Sequence, residues 1–132
     1  MTPATLFKFL IAVLLVTCLV ACVRNPAMPE AEDGARLFQA NCAACHGSDG
    51  TGGTDAPDLT KIALADDGSF PRARVLSQID GYGRGKLPEE AMPEFGALLA
   101  GDLVPVEVDG TLTPTPRALA ALLFYLESLQ TP

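Results

Sequence analysis

A single histidine, His46, stands among the 132 residues, and that scarcity closes several routes at once. No site that needs two imidazoles can be built from this chain, whether a bis-histidine ligand pair or a zinc shell completed by a second His. Basic residues are also few. Nine Lys and Arg face sixteen Asp and Glu, for a formal charge of −7. Such a balance argues against nucleic acid, whose phosphates demand a cationic surface, and favours docking against a basic patch on another protein. Internal repeats and low-complexity tracts are absent. The longest uncharged stretch, Phe9 to Val23, falls short of the roughly 20 apolar residues that a membrane-spanning helix requires.

That stretch follows Lys8 and has the make-up of a cleaved targeting signal. It ends in Leu19-Val20-Ala21-Cys22, which is similar to a bacterial lipobox, where a small residue before Cys permits cleavage and the thiol takes a lipid. An ordinary signal cut elsewhere, or an uncleaved anchor, is the alternative. The cysteines agree with lipidation: Cys18 would leave with the signal, Cys22 would be acylated, and Cys42 and Cys45 would remain. Removal of residues 1–21 takes away Lys8 and no other charge, so the mature chain stays acidic. The expected organisation is therefore a signal over 1–21, a lipidated Cys22 with a Pro-containing linker over 22–30, and one domain over 31–132. The corresponding location is the bacterial cell envelope, tethered to a membrane and facing the periplasm.

Within the domain, Gly34, Leu37, Phe38, Cys42 and Cys45 recur at helical spacing and share one side of a helix that leads into the cysteines. Gly47, Gly50, Gly52 and Gly53 then demand a loop. Phe70-Pro71 opens a second helix with Val75, Leu76 and Ile79 on one face and Gly81 as its stop. From Gly81 to Gly96, glycines and prolines leave room for a short turn near Glu89 and Glu90, and Met92 falls on a loop. Val104, Val106 and Val108 alternate before Asp109-Gly110, so Leu103 to Thr113 reads as a short hairpin or extended loop. Thr115 as cap and Pro116 at the first helical position introduce a last helix bearing Leu119, Leu122, Leu123, Leu126 and Leu129.

The chemistry concentrates in Cys42-Ala43-Ala44-Cys45-His46, the pattern at which c-type haem is attached. Two thiols three positions apart can form thioethers to both vinyl groups, and the adjacent imidazole is carried to the iron. A redox dithiol or half a zinc site is the competing reading, but no second Cys pair remains to complete a metal shell. With no second His, the opposite axial position is left to a thioether, an amine or a vacancy. Met1 would leave with the signal and Met28 lies in the linker, so Met92 is the remaining sulfur, with a core-filling Met as the alternative. Arg84 and Lys86 precede it and are candidates to pair with haem propionates, or are solvated loop charges.

In this order of parts, helix, Cys-x-x-Cys-His, Gly-rich loop, Met-Pro loop and C-terminal helix, the chain resembles the monohaem class I cytochromes c, here in a lipoprotein-anchored bacterial form. The resemblance implies an all-α fold wrapped around one covalent haem c. Met92-Pro93-Glu94-Phe95-Gly96 matches the family's Met-Pro-x-Phe-Gly context. Gly34, Phe38 and Tyr125 match positions at which that family crosses its first and last helices, and Pro57 matches the proline whose carbonyl accepts from the ligand imidazole. What is implied is single-electron transfer between respiratory-chain partners, without catalysis of a substrate reaction. A haem enzyme or gas sensor with an open or labile sixth site is the alternative, in which Arg84 or Arg72 would have to serve as the distal group. A structural subunit stabilised by its haem is a third. The residues from Leu103 to Thr113 are an insertion relative to compact family members, serving as haem-edge padding, a docking surface or a decorated loop.

Overall fold

The computed structural model describes residues 27–53, 56–82 and 92–131. Chain order gives helix α1 (Ala31–Asn41), the short α2 (Ala43–His46), 3-10 turns at Leu59–Lys61 and Leu64–Asp66, helix α3 (Arg72–Asp80), strands β1 (Leu103–Val108) and β2 (Thr111–Pro116), and helix α4 (Arg117–Ser128). Cys22, Arg84, Lys86 and the turn expected at Glu89 and Glu90 lie outside the described residues. Among the described residues, no helix is long and apolar enough to cross a membrane.

Helix α1 begins with Glu32 and Asp33 in its first turn, where carboxylates meet the positive end of the helix dipole, and the Asp33 carboxylate accepts from the Glu30 N–H at 3.1 Å. Its buried face is Gly34 and Phe38. That face crosses α4. A Cβ at position 34 would collide with the Ala121 carbonyl and lie 2.7 Å from the Tyr125 Cβ, so only glycine lets the two backbones approach this closely. One turn on, the Phe38 and Tyr125 rings sit 5.2 Å apart at an interplanar angle of 54°, a tilted pair that contributes about 1 kcal/mol beyond its buried area. The crossing is thus the one that the family resemblance implies for Gly34, Phe38 and Tyr125.

The helix does not run unbroken into the cysteines. Cys42 departs to φ −119° while its N–H still bonds to the Phe38 carbonyl at 2.8 Å, and a new turn, α2, starts one residue later. Helix α3 starts and stops where Pro71 and Gly81 indicate: Pro71 is its N-cap, and Gly81 is left-handed at φ 95° with its N–H bonded to Ser77 O at 3.0 Å.

Residues 103–116 form an antiparallel hairpin, longer by three residues than the alternation indicates. Asp109 and Gly110 take φ of 50° and 83°, the two positive values that a tight primed turn requires, and Val108 pairs with Thr111. Val104, Val106 and Val108 are buried, while Leu103, Pro105 and Glu107 face water. The hairpin is therefore a wall of the core and not a decorated loop. Pro105 opposite Pro114 withholds donors from the ribbon's outer edges, which discourages pairing with another chain.

One expectation fails at this junction. Thr115 does not cap the last helix, and Pro116 is not its first residue. Thr115 pairs with Val104, is buried, and its hydroxyl donates to Thr113 O at 3.0 Å; Pro116 is the N-cap and α4 begins at Arg117. The ladder outcompetes the cap, and the Arg117 N–H finds the Asp102 carbonyl at 2.8 Å instead. Leu129 lies one residue beyond α4, at its C-cap.

Arg72 joins the pieces. Its guanidinium donates to the Glu127 carboxylate at 2.7 and 3.2 Å and to the Glu107 carbonyl at 2.8 Å, and lies 6.0 Å from the Phe124 ring centre. Helix α3, the hairpin and α4 are pinned by one side chain, which is thereby occupied and unsuited to a distal role at an iron. Because the α1/α4 crossing has no space for even one methyl group, Gly34→Ala should destabilise the folded protein by about 3 kcal/mol, read as a lowered denaturant midpoint at unchanged slope.

Candidate functional site

Phe38, projecting from α1, and Leu122 and Leu126, from α4, form the back of a cavity of ≈ 350 Å³. Val75 and Ile79 of α3 close one side, and Leu59 and Ile62 of the 3-10 region another. The lining is mostly apolar, and the volume lies in the range of small-molecule and cofactor sites. Four residues singled out from the sequence share this wall: Cys42, His46, Pro57 and Met92. Met28, by contrast, is exposed at the domain's edge.

The cysteines differ. Cys42 is half-buried against the cavity, and Cys45 is exposed at the surface. Burial, with a smaller contribution from neighbouring Cys45, pushes the Cys42 thiol above its ordinary pKa. A redox dithiol draws on a stabilised thiolate, and the surroundings of Cys42 supply nothing that favours one there. Nor do any three His, Cys, Asp or Glu side chains converge on a metal-sized site among the described residues.

His46 ends α2 and is 7% exposed. Its Nδ1 lies 3.3 Å from the Pro57 carbonyl, so an Nδ1–H donates there and leaves the Nε2 lone pair for a ligand. The loop between them explains the approach. Gly47 N–H bonds to Ala43 O, Gly52 N–H to His46 O at 2.9 Å and Gly53 N–H to Ala56 O at 3.0 Å, folding the chain back so that Pro57 returns over the imidazole. Gly52 has φ 81°, and a Cβ there would lie 2.7 Å from the Pro57 carbonyl oxygen. The sequence marks a glycine-rich loop; it does not show that Gly52 in particular is the one beneath Pro57.

Two cations on the cavity wall were also not singled out by the sequence. Lys61 pairs with Asp58 at 2.8 Å, and Arg74 with Asp66 at 2.7 Å. The Lys61 ammonium, with help from Thr60, holds the half-buried Asp58 carboxyl down at about 2. The Arg74 pairing carries no sequence signal, because its partner lies eight residues away on a different element. Gln78 of α3 also lines the cavity.

The arrangement brings together an apolar cavity, a cysteine on its wall, an imidazole oriented by a carbonyl, and a thioether, a donor set that suits an apolar cofactor carrying a metal. The family model for Cytochrome c matches residues 31–130, and the chain belongs to that family. Over 75 residues it is 36% identical to the cytochrome c6 of Leptolyngbya boryana, a match that covers 57% of this chain and 81% of that protein. No solved structure matches it significantly. The chain is accordingly a monohaem class I cytochrome c, mostly helical with a minor two-stranded sheet, and its cofactor is haem c.

The apolar lining and the sulfur and nitrogen donors fit that group. When bound, haem supplies a one-electron couple at iron. Gly52→Ala should push the Pro57 carbonyl off the imidazole, and the His46 Nδ1 proton, followed by NMR in the holoprotein, should exchange about tenfold faster than in the parent, the equivalent of one lost hydrogen bond.

Proposed function

We propose that this chain is a membrane-tethered electron carrier, with Cys42 and Cys45 as the thioether positions, His46 and Met92 as the axial ligands, and Pro57 as the acceptor that orients His46. The observation that carries this reading is that His46 and Met92 lie on the wall of one apolar cavity, the first with its Nδ1 already committed to a carbonyl. With both axial positions taken by protein atoms, no coordination site is left for a substrate, and oxidation state can change with little rearrangement. A Met/His pair also favours the reduced state relative to bis-histidine ligation.

Redox proteins are the partners, and the acidic chain calls for a basic patch on them, with small contacts that salt weakens. Lipid at Cys22 would hold the domain at the periplasmic face of a membrane and direct it to respiratory complexes there. The similarity to a cytochrome c6 supports electron carriage; the tether rests on Leu19-Val20-Ala21-Cys22.

Two experiments test the two halves. The reduced holoprotein should show a c-type visible spectrum indifferent to carbon monoxide; a shift on adding the gas would show an open sixth site and favour the enzyme or sensor reading. Cys22→Ser should move the protein from the membrane to the soluble fraction, and continued membrane association would mean an uncleaved helix in place of a lipid.

A further inference from the structure

Met92 opens the described segment 92–99, which returns to the C-terminal end of α3 and is stitched there. The Phe95 N–H donates to the Ile79 carbonyl at 3.0 Å, and Ile79 is itself on the cavity wall. The Leu99 N–H bonds to Phe95 O at 2.9 Å, and Leu99 is buried in the core, so the segment is anchored beyond the stitch as well.

On either side of that bond a glycine stands too close to the opposite segment to carry a side chain. A Cβ at Gly81 would lie 2.6 Å from Glu94 Cγ, and a Cβ at Gly96 would lie 2.6 Å from Asp80 Oδ1 and 2.7 Å from the Asp80 carbonyl oxygen. The contacts are reciprocal: the glycine after α3 receives a side chain of the Met segment, and the glycine of the Met segment receives the last residue of α3.

We propose that Gly81 and Gly96 form a clamp that sets the position of Met92, and are positioning residues for the sixth ligand. The inference rests on the reading of Met92 as that ligand. Its physical basis is that the obstacle at Gly96 includes backbone, since behind the Asp80 carboxylate stands the Asp80 carbonyl oxygen. The Asp80 carbonyl ends a helix and cannot swing aside, so a methyl group at position 96 must displace the Met segment from α3 by several tenths of an ångström, enough to strain a metal–sulfur bond of fixed length. The obstacle at Gly81 is the Glu94 side chain, which can rotate away, although φ 95° still penalises a Cβ there. Gly68 provides the contrast: its φ is 83°, yet a Cβ there would meet nothing within 4 Å.

The test uses reduced holoprotein of the parent and of Gly96→Ala, Gly81→Ala, Gly68→Ala and Met92→Ala, titrated with carbon monoxide, together with their reduction potentials. Apparent affinity for the gas follows the fraction of molecules whose sixth site is open. Gly96→Ala should bind it at concentrations at least about tenfold below the highest at which the parent stays unchanged, with a lowered potential, and Gly81→Ala should shift in the same direction by less. Gly68→Ala should match the parent and Met92→Ala should bind freely. If Gly96→Ala does not accumulate with haem, Gly81→Ala decides. The clamp is refuted if both clamp variants match the parent while Met92→Ala binds the gas, or if Gly68→Ala opens the site as they do. A parent that binds the gas, or a Met92→Ala that does not, refutes the ligand assignment itself and the clamp with it.

Discussion

The close crossing of α1 and α4 governs the rest of the molecule. Gly34 against the Ala121 carbonyl and the Tyr125 Cβ sets the distance between the helices, and the tilted Phe38–Tyr125 pair sets their rotation. From that contact Phe38, Leu122 and Leu126 project to one side and become the back of the apolar cavity. Cys42, four residues after Phe38, is carried to its edge. In a domain this small the two helices alone bury too little surface for a core, so an apolar cofactor and the valine face of the hairpin supply the remaining layers.

The two ligand candidates are held in different ways, and the difference bears on function. His46 sits on a helical turn directly bonded to the cysteine motif, with the Gly52–Pro57 fold-back fixing its ring. Met92 is not on a helix and depends on a non-local contact with the end of α3, through Phe95 and the paired glycines. Rigidity on one side and a docked segment on the other would make the sixth position the one more open to change. The hairpin, cross-linked to α3 and α4 by Arg72, stiffens the support on which that segment rests.

The sequence marked the candidate site more clearly than its supports. Cys42, Cys45 and His46 form a local pattern that can be read without the fold, and residues 31–41 and 117–128 carry helical periodicity strong enough to read directly. The Asp109-Gly110 turn was legible because both residues tolerate positive φ. The break at Cys42 and the failure of Thr115 as a cap were not, since each depends on tertiary competition: a ladder with Val104 in one case, a turn restarting beside the cavity in the other. Gly52, Gly96 and the pairing of Arg74 with Asp66 were equally hidden, because a glycine under steric pressure looks like any other glycine until its neighbour across the fold is known.

The most direct test of the central claim is a proton NMR spectrum of the ferrous holoprotein with the methionine methyl groups isotopically labelled. A methyl held at the iron lies over the macrocycle and its resonance is displaced far upfield by the ring current. The account predicts one such signal, lost in Met92→Ala and retained in Met28→Ala. A spectrum in which every methionine methyl resonates at its ordinary position, or in which the displaced signal survives the loss of Met92, would contradict it.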